Sequence, residues 1–323
     1  MNNFNQQSKI KFLTHSKSKN YIITIAIGKK YLNEWHKYCK PNILKYCKKN
    51  SLGLGVVHSD LISKDNKFWK KPTWQKYIIG KYITDNKINI KNVCFLDQDI
   101  LVNPNAENIF KHHQENKISL ISQIKNLPYS NLHLIQRKIA FNRHHHLSKR
   151  YPLDSALFMS LKQIYKFNNC KPQNDYACAG VFVFNVKKFS QIMNRWFEKY
   201  DKNLVSLSGG GDEGIMNYEM LNHGKINWID YKFQALWGYE IAFKYSFLYK
   251  HLNNKKLVRL CVEDSLSDNY FVHYAGGWDE FQVWKMKNIF SNKKLLNENK
   301  KFFNYLKTKV TGKPRGRILP KTK

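Results

Sequence analysis

The stretch NVCFLDQDILV, Asn92 to Val102, decides how this chain is read. Val93, Cys94, Phe95 and Leu96 form an apolar run of strand length, and two carboxylates, Asp97 and Asp99, follow two positions apart. Apolar residues at consecutive positions suit a strand covered on both faces. A strand over 92–102 is therefore expected, with period-2 alternation placing both carboxylates on one side of the backbone. Two like charges at a strand end are costly to bury without partners, which points to a cation between them, and hard oxygen ligands select Mg²⁺ or Mn²⁺. The competing reading is that Asp97 or Asp99 only caps the following turn.

Outward from this stretch, YIITIAIG (Tyr21 to Gly28) and LGVVHSD (Leu54 to Asp60) read as further strands. Helical patterns follow over Tyr31 to Cys47 and Thr73 to Ile83. The pattern loosens between Gln123 and Asp175, then YACAGVFVFNV (Tyr176 to Val186) restores a buried strand with a helix from Lys187 to Tyr200. GGGDEGIMNYEML (Gly209 to Leu221) is a glycine loop leading into a helix, and INWIDYKF and YFVHYAGGW supply short strands or turns. Strands alternating with helices imply an α/β fold, a Rossmann-like, mostly parallel sheet flanked by helices. A single domain is expected over 20–280, between a polar tail over 1–19 and a basic C-terminal segment over 281–323. Ligands of such sheets bind at the carboxyl ends of the strands, where Asp97 and Asp99 fall.

With 323 residues, 42% of them apolar, the chain can bury a full core, which excludes a disordered tail. Its net charge of +32 calls for an anionic partner, unless an AT-rich genome has simply enriched Lys. Residues 1–20 carry a net +4 and residues 281–323 a net +12, so half the excess sits at the two ends. From Lys293 to Val310, Leu295, Leu296, Phe302, Phe303, Leu306 and Val310 share one helical face opposite Lys293, Lys294, Lys300, Lys301 and Lys307. Such a helix either lies on an anionic membrane surface or packs on the domain with its Lys face solvated. Arg143 and His144 to His146 read as an exposed basic loop rather than a metal site. No run approaches the ~20 apolar residues of a membrane span, and no secretory h-region opens the chain. Six dispersed cysteines without a C-x-x-C pair indicate reduced thiols. A cytoplasmic protein, peripheral at the inner membrane face, is expected. Nucleic acid is the rival partner, but no helix-turn-helix, RNP or zinc-finger signature supports it.

Three further segments bear on chemistry. The small residues Ala177, Cys178, Ala179 and Gly180 fit either close approach of a ligand or packing against a helix. Asp212 reads as a helix N-cap or as a ligand contact, and His273 as a structural histidine or a third metal ligand. Together and in this order, FLDQDILVNPNAENIF, YACAGVFVFNVKKF, GDEGIMN and HYAGGW resemble the glycosyltransferases of the GT-A fold, in particular family 8, over roughly Tyr21 to Trp278.

The resemblance implies that Asp97, Asp99 and His273 bind Mn²⁺ (or Mg²⁺), which holds the diphosphate of a nucleotide-sugar donor, UDP-linked. It places Ala26, Ile27, Gly28 and Tyr31 at the base, and Lys76, Gln98, Cys178, Ala179, Gly180 and Gly276 elsewhere along the donor. Asp212 would contact the sugar, and Asp212 and Glu213 are the catalytic candidates. The implied reaction transfers a sugar, with retention, to a glycan or lipid-linked acceptor. Departures are Cys178 in place of the family's Asn, Glu213 in place of its Gln, and the missing Lys-Pro-Trp beyond Trp278. A cation for the diphosphate would then come from Lys29, Lys30 or Lys285. An inverting transferase, with Asp212 or Glu213 as base, or a sugar nucleotidyltransferase is the alternative.

Overall fold

Tyr21 to Ile25 are buried without exception, so β2 (Asn20–Ile25) belongs inside a sheet, and it pairs on both sides. The computed structural model, which describes residues 8–146, 159–201, 211–275 and 283–290, surrounds it with six further strands. These are β1 (Ile10–Thr14), β3 (Gly53–Val57), β4 (Asn92–Leu96), β6 (Ile118–Ser122), β7 (Ala177–Asn185) and β8 (Ile226–Trp228). Their order is β1-β3-β2-β4-β7-β6-β8. All run one way except β1 and β7, so the mostly parallel α/β sheet expected from the sequence is present. A second sheet pairs β10 (Phe271–His273) with β5 (Ile100–Val102) on one side and β9 (Ala235–Leu236) on the other.

Alternation sorts the core. Ile23, Ile25, Val93, Phe95, Phe182 and Phe184 share one cluster with Trp74, Tyr77, Phe189, Met193 and Met216 of the helical segments over 72–85, 186–199 and 213–223. Each fully buried aromatic or aliphatic side chain there contributes about 1.5–3 kcal/mol. The helical stretch over 29–49 meets β3 and β5. It contains a π-helical turn at Trp35–Cys39, just before Pro41, whose missing N–H leaves the Lys37 carbonyl without its usual i+4 donor.

The structure corrects several expectations. Residues 92–102 are two strands: β4 ends at Leu96, and after a turn through Asp97–Asp99 the chain enters the other sheet as β5. Carboxylates cannot extend a strand buried on both faces, so the polar tripeptide becomes the turn between two sheets. Ile10–Thr14, expected in a polar tail, is an edge strand on β3, with Ile10 buried, Phe12 packed on the core and Lys11 exposed. The loose region after Gln123 contains helices at Leu132–His146 and Leu161–Phe167, the second with a Ser160–Gln163 capping box. Arg143 to His146 end the first of these helices instead of forming a loop; the run before them is rich in good helix formers. The compact unit reaches Met286, and a second unit spans Lys287–Lys323. Lys293 to Val310 and Gly276 lie outside the described residues.

Gly80 sets the spacing between two helical segments: a Cβ there would lie 2.9 Å from the Ser190 Cβ and 3.2 Å from its Cα. Gly80→Ala should therefore cost about 1–3 kcal/mol through overpacking. Urea denaturation should show a lowered midpoint with an unchanged m-value.

Candidate functional site

The turn after β4 opens onto a cavity of about 560 Å³ at the carboxyl ends of β2 and β4. The Asp97 N–H donates to the Gly180 carbonyl at 2.9 Å, and the Tyr274 N–H to the Asp99 carbonyl at 3.2 Å. These bonds tie the turn to β7 and to the residue after β10. His273, on β10, is 3% exposed, with Nε2 3.7 Å from Asp97 Oδ2 and 3.4 Å from Asp99 Oδ1. One ligand atom from each of the three lies within 4.8 Å of the others.

The far side of the ring decides what Nε2 can do. With the Gln234 amide oxygen facing it, Nδ1–H donates to that oxygen at 3.0 Å, which also accepts from the Val181 N–H at 3.3 Å. The amide nitrogen donates to the Cys178 carbonyl at 3.0 Å; reversed, it would aim donors at donors. The Cys178 Sγ is 3.4 Å from the same Nδ1. Burial lowers the ring's pKa, but Cys178 and Asp99 overrule it and hold it well above the ordinary imidazole value. A cation between the carboxylates would displace the Nε2 proton and take up the lone pair, as in metal sites whose second ring nitrogen donates to an amide or carbonyl. Two carboxylate oxygens and one imidazole fit Mn²⁺ or Mg²⁺ and leave positions for substrate oxygens. Gly180 makes room for this arrangement, since a Cβ there would lie 2.3 Å from the His273 ring.

A second pair of carboxylates lines the same cavity. Asp212 precedes the helix Glu213–His223 but makes no side-chain cap bond, so the simple N-cap reading does not hold. Its Oδ2 instead meets Lys76 Nζ at 2.8 Å and accepts from the Tyr77 hydroxyl at 3.0 Å. Burial pulls the Lys76 amine down, but Asp212 and then Asp97 overrule it and hold its pKa above the ordinary value. Glu213 Oε1 accepts from Gln123 at 2.8 Å. Burial, reinforced by Asp212, pushes the Glu213 carboxyl up to about 7 against Lys76 and Gln123. Asn217 fixes this helix to β7, accepting from the Ala177 N–H and donating to its carbonyl, both at 2.7 Å.

Of the residues singled out by sequence, Ile27, Tyr31, Lys76, Asp97, Gln98, Asp99, Cys178, Ala179, Gly180, Asp212, Glu213 and His273 all line the cavity. Ala26 is buried, bonded to the Val57 carbonyl, and does not line it; nor does Gly28, which precedes the helix Lys29–Glu34 with φ +98°. Lys285 is committed to Glu34 at 2.6 Å, and neither Lys29 nor Lys30 borders the cavity. The cation there that sequence reasoning missed is Lys71. Gln123 and Gln234 were also missed, because nothing local distinguishes a glutamine that positions a functional group from one on a surface.

By sequence, the chain matches no protein-family model and no curated relative. It is similar in structure to a glycosyltransferase involved in glycosylation of the major capsid of PBCV-1: 12% identity, 81% of this chain and 98% of that one, TM-score 0.45. It is also similar to the galactosyltransferase LgtC in complex with donor and acceptor sugar analogues, at 12% identity over 91% of this chain and 98% of that one, TM-score 0.42. The bifunctional glycosyltransferase WbbM gives 13% identity over 85% and 51%, TM-score 0.41.

Lys76→Met should cost about 3–5 kcal/mol, because it leaves Asp212 buried without its cation; adding Asp212→Asn should recover part of that loss in urea denaturation. Glu213→Gln should stabilise the protein at pH 8 by about 1–3 kcal/mol and have little effect at pH 5. Burial holds the Glu213 pKa at about 7 in the folded state, above the ordinary carboxyl value of 4.5, so burying the charge costs stability as pH rises through that window. Thermal melts at the two pH values check it.

Proposed function

We propose that this protein is a GT-A-type glycosyltransferase that transfers a sugar from a nucleotide-diphosphate donor. The observation that carries the reading is the convergence of Asp97, Asp99 and the tautomer-fixed His273 at the rim of a cavity that also holds Asp212 and Glu213. Asp97, Asp99 and His273 would hold Mn²⁺ or Mg²⁺, which as a Lewis acid neutralises charge on a diphosphate leaving group. Lys71, which has no carboxylate partner among the described residues, would meet the same diphosphate. Ile25, Ile27 and Tyr31 give an apolar wall for a base, and a UDP-linked sugar is the donor we assign.

Asp212 is held by Lys76 and Tyr77 through Oδ2, which leaves Oδ1 to accept from sugar hydroxyls. Among the described residues Glu213 is held through Oε1, which leaves its second oxygen available at the cavity it lines. The family resemblance implies retention. The free Glu213 oxygen, with a pKa of about 7, favours a second reading in which Glu213 takes the acceptor proton and the configuration inverts. The acceptor is a glycan or a lipid-linked saccharide, and residues 281–323 are assigned to docking on the inner membrane face.

Incubation with a panel of nucleotide sugars should release nucleotide only when Mn²⁺ or Mg²⁺ is present. Asp97→Asn and Asp99→Asn should each abolish both turnover and calorimetric metal binding; full activity in either would sink the assignment. Glu213→Gln should lower kcat by about 10²–10⁴ if Glu213 acts as base. In the wild type kcat/KM would then rise through about pH 7, because only the ionised carboxylate accepts a proton, and the variant would lose that limb. The anomeric configuration of the product, read by NMR, separates retention from inversion.

A further inference from the structure

A second cavity, of about 430 Å³, lies at the opposite edge of the sheet. Asn92 of β4 pairs with Asn185 of β7, and Ile118 of β6 with Ile226 of β8. Asn116, Lys188 and Lys225, which border the cavity just beyond these positions, therefore sit at the amino ends of β4, β6 and β8. Asp97 follows the carboxyl end of β4, a strand-length away.

The lining is cationic and carries no carboxylate. In the helix Val186–Lys199, Lys188, Ile192 and Arg195 are spaced four and three residues apart and so share a face. Lys225 joins them just after the left-handed Gly224 that ends the helix Glu213–His223. Among the described residues, none of these three cations has an acidic group within ion-pair distance. The acid whose field reaches Lys188, Glu115, is paired with Lys91. Three like charges around one hollow repel one another unless a negative charge is brought between them.

His223 adds a fixed polar group. Its ring stands edge-to-face with Phe189 and Trp196, at centroid distances of 6.3 and 5.6 Å. Burial first, and then Lys225 and Arg195, hold its pKa below the ordinary imidazole value, so near neutral pH the ring is uncharged and able to donate or accept a hydrogen bond. Phe189 and Ile192 supply an apolar floor.

We infer that this cavity is a second anion site, shaped for a phosphate ester or diphosphate and separate from the metal-ligating cavity. Arg195 would bind phosphate oxygens in a fork, Lys188 and Lys225 as point charges, and His223 through its ring. The apolar floor would take the carbon skeleton the phosphate carries. The phosphate could be supplied by a soluble molecule or by a lipid headgroup. The inference does not depend on the transferase reading and goes beyond it.

The test uses the full chain in buffer stripped of divalent cations, with inorganic pyrophosphate titrated by calorimetry. Binding should weaken at least tenfold in Arg195→Ala/Lys225→Ala and stay unchanged in Lys45→Ala/Lys48→Ala, which removes the same charge elsewhere. In the unsubstituted protein the His223 ring resonance, assigned with His223→Gln, should move on pyrophosphate addition; this readout does not require the double variant to fold. Phosphatidylglycerol vesicles that displace pyrophosphate identify a headgroup as the source, and vesicles that leave it bound identify a soluble ligand. Equal binding by the two double variants, a stationary His223 resonance, or no binding of pyrophosphate would overturn the proposal.

Discussion

Four carboxylates, Asp97, Asp99, Asp212 and Glu213, share one cavity in a chain whose net charge is +32, and the arrangement of their counter-groups organises the rest of the molecule. Two like charges about 4 Å apart repel by about 4 kcal/mol at an effective dielectric constant of ~20, so such a group needs compensation from several directions. Lys76 arrives from the segment preceding β4, Gln123 from the end of β6, and His273 from the second sheet. Each compensating group ties a separate element to the cavity wall. Folding and the preparation of an electrostatic site are, in this respect, one event.

The parts that hold these groups are buried and satisfied. Gln234 locks the His273 ring against the edge of β7, and Asn217 brackets the backbone of Ala177 in the same strand. Behind β10, the buried Glu240 carboxylate accepts from Tyr129 at 2.9 Å, Ser265 at 3.2 Å and Asn269 at 3.3 Å, and pairs with Lys244 at 3.1 Å. That network joins the helices Trp237–Phe243 and Lys255–Asp268 and gives the second sheet a rigid backing. The carboxylates facing the cavity are the exceptions, with oxygens that no side chain among the described residues takes up.

The main strands were legible in the sequence because burial on both faces writes a largely apolar, β-branched run, as in Tyr21 to Ile25, or an unbroken apolar one, as in Val181 to Phe184. Asp97, Asp99 and His273 were legible as a group only through motif order, since nothing local joins positions 97 and 273. What periodicity could not show was the change of sheet at Asp97–Asp99, because leaving a sheet depends on which strand is free to pair. The cation for the diphosphate was sought at Lys29, Lys30 and Lys285, whereas Lys71 lines the cavity from a loop. Charge counting said less still: half of the +32 lies between the two ends, yet the cavity gathers four carboxylates around Lys71 and Lys76. A sum over a sequence does not record which charges converge in space.

The strand β1 has a practical bearing on how the molecule behaves outside the cell. It covers the outer edge of β3, and the Lys9 main chain is fixed by an N–H donated to the Tyr82 hydroxyl at 2.9 Å and a carbonyl accepting from the His58 N–H at 3.2 Å. Trimming the chain to begin near Asn20, on the view that a lysine-rich leader is dispensable, would uncover a buried, uncharged strand with its hydrogen-bonding edge open. An edge of that kind invites pairing between molecules and precipitation. Five residues that read as tail thus act as a solubility cap, and Lys11 on their outer side discourages the next copy from extending the sheet.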